Sequence, residues 1–184
     1  MIDLSSYVPH IWKSELDDEA TAFLDKTYPQ ALKTPMCVPI EYIATEVMHL
    51  TVLEHHLSED LSILGQMCFT DGLAEIYDPV NDEYREIYVK AGTMIIDPDT
   101  YAKRNLGSKR NTIAHESYHW FRHRRYHLAA AQYAGQIKPV YRCPTTPKSE
   151  SIKAGWTDED WMEWQANALS SAVLMPVSMV RMVA

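Results

Sequence analysis

The sequence predicts an α+β protein in which a small, largely antiparallel sheet packs against helices. Three observations lead there: apolar residues at helical spacing near the N-terminus, short Val/Ile/Leu/Tyr-rich runs between residues 50 and 96, and two long helical stretches after them. With 184 residues, 46% hydrophobic and 23% charged, the chain is large enough to bury a sizeable core. We expect one domain over 1–184, with a helical extension at 1–38, a core at 39–176 and a candidate lid loop at 136–156.

Ser14 to Ala31 reads as a helix. Its first turn is acidic (Glu15, Asp17, Asp18, Glu19), as the helix dipole favours, and Leu16, Ala20, Phe23 and Leu24 share a face. Pro29 and Pro35 close it. A second helix is expected from Pro39 to Met48, with proline at the start, where its missing N–H is harmless. Five strand candidates follow: Leu50–Leu57, Leu61–Phe69, Leu73–Tyr77, Arg85–Val89 and Thr93–Ile96, of which we expect three to five to form the sheet. Asp71-Gly72, Asp78-Pro79 and Ala91-Gly92 separate several of them. Ser108 is the expected cap of a helix running to about Ala134, with Gly135 as its stop. The last helix begins at Thr157 or Asp158 and is halted by Met175-Pro176. The apolar end at Ala184 leads us to expect that the natural chain continues.

The net charge of −8 argues against direct nucleic-acid binding by the whole surface. Cys37, Cys68 and Cys143 are odd in number and widely spaced, as expected of reduced thiols in the cytosol and not of a disulfide frame. No signal peptide and no apolar run of about 18 residues is visible, so a soluble, intracellular protein with no membrane partner is expected.

One segment carries chemistry. Residues 115–119 read His-Glu-Ser-Tyr-His. On a helix, His115 and His119 lie one turn apart on one face, about 6 Å along the axis, so both imidazoles can reach a single Zn²⁺. Glu116 then lies beside the metal, placed to take a proton from water. A catalytic zinc needs a third protein ligand. His123 and His127 continue the four-residue ladder, but on a straight helix His123 is about 12 Å from His115 along the axis and rotated by about 80°. The cluster Arg122, His123, Arg124, Arg125 is expected to be a solvated face. Glu163 is the best donor from a separate helix, with Glu159 as its rival. Asn167, one turn beyond Glu163, could hydrogen-bond the outer nitrogen of a ligand histidine.

The run Thr112-Ile-Ala-His-Glu-x-x-His119, with Glu163-x-x-Ala166-Asn167 and Leu174-Met175-Pro176, resembles the ImmA/IrrE family of bacterial and phage metallopeptidases. The resemblance spans roughly residues 39 to 176. It implies a zincin-like fold, His115, His119 and Glu163 as zinc ligands and Glu116 as catalytic base. Known members cut a cognate helix-turn-helix repressor. This chain departs from the pattern at Ser117-Tyr118, where the family usually has Leu-Gly, and in its longer segment between His119 and Glu163. A bulky Tyr118 is expected to crowd the neighbouring strand or narrow the cleft.

The expected activity is therefore zinc-dependent endopeptidase cleavage of a protein substrate, with a repressor of a phage, mobile element or stress regulon as the target the resemblance implies. A sheet edge near Thr93–Asp97 could hold that substrate extended. Two alternatives stand beside this reading: a non-catalytic zincin-like module that binds a repressor, and a structural zinc protein with a fourth ligand such as His123 or Cys143.

Overall fold

The structure, a computed structural model, describes residues 4–134, 140–144 and 155–183. Its helices are α1 (Leu16–Thr27), α2 (Ile40–Tyr42, continued by a π turn over Ile43–Val47), α3 (Leu106–Tyr118), α4 (Arg124–Ala134), α5 (Asp158–Leu174) and α6 (Val177–Val183). Its strands are β1 (Thr51–Glu54), β2 (Ile63–Cys68), β3 (Gly72–Asp78), β4 (Glu83–Val89), β5 (Thr93–Ile96) and β6 (Val140–Pro144). The class is α+β.

The strand pairing is largely antiparallel, as expected, but the strands divide into two sheets and one pair is parallel. Four strands run in the order β1-β5-β2-β6, with β1 parallel to β5 and the other pairs antiparallel, while β3 and β4 form a separate hairpin. Alternate residues explain the layering. Met67, Met94 and Ile96 join the main helical core, whereas Cys68 and Ile95 join Ala74, Ile76 and Val89 of the hairpin. Both faces of the sheet are thus covered, so every residue of β5 is buried and Met94–Ile96 reads as a continuous apolar run. This placement also corrects the expected substrate edge. Thr93–Ile96 lies between β1 and β2, and Asp97 N–H donates to the Leu64 carbonyl. Its hydrogen-bonding edges are taken; among the described residues the outer strands are β1 and β6.

The helices follow their sequence signals closely. The segment expected to be an N-terminal extension is part of the core: Phe23 and Leu24 of α1 share a cluster with Ile113 and Tyr118 of α3 and Leu169 and Val173 of α5. Thr157 caps α5 through a reciprocal box with Asp160, as a helix beginning with Asp-Glu-Asp favours. The cap of α3 is Asn105 and not Ser108; its side-chain oxygen accepts the Ser108 N–H at 2.8 Å, so the helix starts earlier than expected. Residues 140–144 of the expected lid form β6 against β2, while 135–139 and 145–154 lie outside the described residues. The stretch Asp158–Val183 is long and apolar enough to cross a membrane by length and composition alone. Its Met162, Ala166, Leu169 and Val173 are buried in the cores.

Candidate metal centre

Helix α3 packs against α5 and lies on β2 and β5. That three-way contact brings the chemical residues together. His115 Nε2 is 2.9 Å from His119 Nε2, and Glu163 Oε1 of α5 is 3.6 Å from the first and 3.1 Å from the second. Four donors at zinc bond lengths of about 2.0–2.1 Å around a tetrahedron stand about 3.3–3.4 Å apart, so this triangle has the size a zinc ion needs. The donor chemistry, two imidazole nitrogens and a carboxylate, fits as well. The sequence-expected triad therefore converges on one point, across 44 residues of chain between His119 and Glu163.

Electrostatics separates the two carboxyl groups. Glu116 is fully buried, and neither of its oxygens has a hydrogen-bond partner among the described residues. Burial pushes its pKa up to about 8; His115 opposes that shift and Glu163 adds to it. Glu163 is also pushed upward by burial, but the imidazoles of His115 and His119 outweigh this and hold it well below the usual carboxylate range. Burial lowers the His119 pKa and favours neutral imidazole. Ionised Glu163 and neutral His119 are the forms that bind a cation. Two neighbouring carboxyls with pKa values driven apart are the pattern of a ligand beside an acid–base group.

The surroundings of Glu116 include a residue that the sequence reading missed. Gly65 of β2 lies so close that an added Cβ would stand 2.7 Å from Thr112 Cγ2 and 2.9 Å from Glu116 Oε1. Its signal was a lone glycine inside a strand, which often marks close approach by another element. Tyr118 does not crowd that strand. It is fully buried in the helical core, with its ring 5.5 Å from that of His123.

His123 itself requires a correction. It is fully buried and not on a solvated face, with Nδ1 3.0 Å from His119 Nδ1 and Nε2 3.1 Å from Gln165 Oε1. The cause is a π turn over His119–His123. An α-helix winds by about 100° per residue and a π turn by roughly 80–85°, so His123 returns to within about 20° of the His115 stripe. Both its nitrogens are engaged, and neither faces the triangle. Of its neighbours, Arg124 and Arg125 are exposed as expected, whereas Arg122 pairs with Glu19 at 2.7 Å.

Asn167 does not make the expected contact to a ligand histidine. Its Nδ2 is buried without a hydrogen-bond partner among the described residues, and the outer nitrogen of His119 is met by His123 instead. The rival ligand Glu159 lies outside the triad and accepts the Tyr126 hydroxyl at 2.7 Å. The side chain of Cys143 lies outside the described residues. Cys37 is exposed and Cys68 buried, and both are free.

A second group, His56, Asp97 and Asp99, also gathers potential cation ligands. Its carboxylates are otherwise occupied: Asp97 accepts the N–H groups of Leu57 and Asp99 at 2.8 and 2.9 Å, and Lys103 pairs with Asp99 at 2.8 Å. These bonds order the turn after β5.

No family model, curated protein or solved structure matches the chain.

Proposed function

We propose that this protein is a zinc-dependent endopeptidase of zincin-like architecture that hydrolyses a peptide bond in a protein substrate in the cytosol. The observation that carries the reading is the buried triangle of His115, His119 and Glu163 beside a carboxyl group with no hydrogen-bond partner among the described residues. Those three residues would hold the ion, which when bound supplies Lewis acidity toward a water molecule and a scissile carbonyl.

Glu116 does the proton work. An orphan carboxyl buried at this depth costs about 1–3 kcal/mol, and such a cost is tolerated where the group has a function. Its raised pKa makes it a stronger base than an ordinary carboxylate, so that once ionised it can take a proton from the attacking water and return it to the leaving amine. Gly65 keeps the space that this carboxyl occupies. His115 and His119, fixed on consecutive turns of one helical stripe, orient the donors without further movement. A helix-turn-helix repressor is the substrate that the resemblance to ImmA/IrrE peptidases suggests. A structural four-ligand zinc through His123 is disfavoured, because both its nitrogens face other partners.

The test compares the parent with Glu116→Gln. Both are expected to bind one zinc per chain by elemental analysis, and His115→Ala to bind none. New protein amino termini, profiled in lysates exposed to each, are expected with the parent and absent with Glu116→Gln. Equal sets of termini from the two proteins would refute catalysis and leave a repressor-binding module as the better reading.

A further inference from the structure

The hydrogen-bond chain behind His119 has a direction that can be derived. It begins at the Pro9 carbonyl, which can only accept. Gln165 Nε2 stands 2.6 Å from that oxygen, so the amide nitrogen must face it and Oε1 must face His123. Gln165 Oε1 accepts, so His123 Nε2, 3.1 Å away, must carry a proton. Full burial between an amide and an imidazole favours the uncharged His123 ring, whose Nδ1 then holds a lone pair. That lone pair meets His119 Nδ1 at 3.0 Å, and a hydrogen bond there requires the proton to sit on His119. The remaining nitrogen of His119, Nε2, is the one in the triangle; on the metal-centre reading its 2.9 and 3.1 Å approaches to His115 Nε2 and Glu163 Oε1 are the spacing of co-ligands around a cation and not a donated proton.

We propose that Gln165 and His123 are positioning residues that fix the proton of His119 on Nδ1, so that its Nε2 lone pair is free for the cation. This rests on the metal-centre reading above. A free imidazole in water prefers its proton on Nε2, which here would point an N–H into the triangle and block the ligand atom. The relay reverses that preference through a peptide carbonyl near the N-terminus, an amide on α5 and a ring brought into line by the π turn. Partners of this kind typically change metal affinity by about 10–100-fold, because they set both ring orientation and tautomer. Asn167, the residue the spacing suggested for the role, has no part in it.

Protein labelled with ¹⁵N-histidine reports which nitrogens carry protons. His119 Nδ1 is expected to be protonated, with His123 Nε2 protonated and His123 Nδ1 bare. Zinc affinity, measured with Zn²⁺ alone against a chromophoric chelator, is expected to fall about 10–100-fold in Gln165→Leu. If the parent binds zinc but His119 Nδ1 is bare, or if Gln165→Leu binds zinc as tightly as the parent, the relay is overturned. A parent that binds no zinc overturns the metal centre instead, whatever the ring protons show. Should Gln165→Leu not fold, the ring protons of the parent decide the matter alone.

Discussion

Gly65→Ala tests how tightly the sheet and the Glu116 carboxyl, the base of the proposed peptidase, are fitted. The added methyl would stand 2.7 Å from Thr112 Cγ2, 2.9 Å from Glu116 Oε1 and 3.2 Å from Glu116 Cγ. Comfortable carbon contacts are about 3.5–4.0 Å, so something must move by up to about 1 Å. Strand β2 is held between β5 and β6, with Gly65 paired to Ile96 and Cys143, and cannot easily withdraw. Helix α3 is fixed in the core through Ile113, Ala114 and Tyr118. The Glu116 side chain is therefore the part that yields. Overpacking of this kind costs about 1–3 kcal/mol, which in a domain of this size lowers Tm by roughly 2–12 °C. A base displaced by about 1 Å is expected to slow cleavage on the order of 100-fold. Adding Thr112→Ser removes the nearest carbon but leaves the carboxyl contact. The double variant should therefore regain part of the lost Tm while cleavage stays slow. Calorimetry reads the first effect, and the rate of new amino-terminus formation reads the second. A Gly65→Ala protein with the Tm and cleavage rate of the parent would refute the close approach.

Three further outcomes follow from the same coordinates. Burial lowers the His127 pKa to about 3, well below the ordinary imidazole value of 6.5. As pH falls below 6.5, the unfolded chain takes up a proton that the folded chain refuses, so stability is lost toward acid, by about 1–2 kcal/mol at pH 5. His127→Phe keeps a flat ring against Phe69, stacked at 4.0 Å, and should make the Tm of metal-free protein less sensitive between pH 7.5 and 5; unchanged sensitivity would exclude this source. The Cys68 thiol is pushed up to about 12, chiefly by burial, whereas Cys37 is exposed. In a Cys143→Ser background a thiol reagent should label Cys37 quickly and Cys68 only on unfolding, and rapid labelling of both in native protein would contradict the burial. Asn105→Ala should cost about 1 kcal/mol and lower Tm by roughly 2–4 °C, with Ser108→Ala near neutral. The reverse order would restore Ser108 as the cap of α3.

What the sequence determined by itself was local. Helical periodicity placed α1 and α5, and turn pairs such as Asp71-Gly72 and Ala91-Gly92 helped to mark off the strands, because backbone geometry imposes these patterns within a few residues. The four-residue spacing of His115 and His119 fixed their common face for the same reason. Glu163 was nameable as a donor from its residue type, but only the packing of α3 on α5 brought its Oε1 to 3.1 Å from His119. Tertiary structure alone decided the rest. Pairing β1 with β5, which made Thr93–Ile96 an inner strand, depends on partners more than 40 residues apart, about which local pattern carries no information. The π turn that turned His123 inward leaves no mark on apolar periodicity, and Gln165 gained its role through Pro9, 156 residues away. Short-range geometry paired the two histidines; long-range packing chose which groups stand beside and behind them.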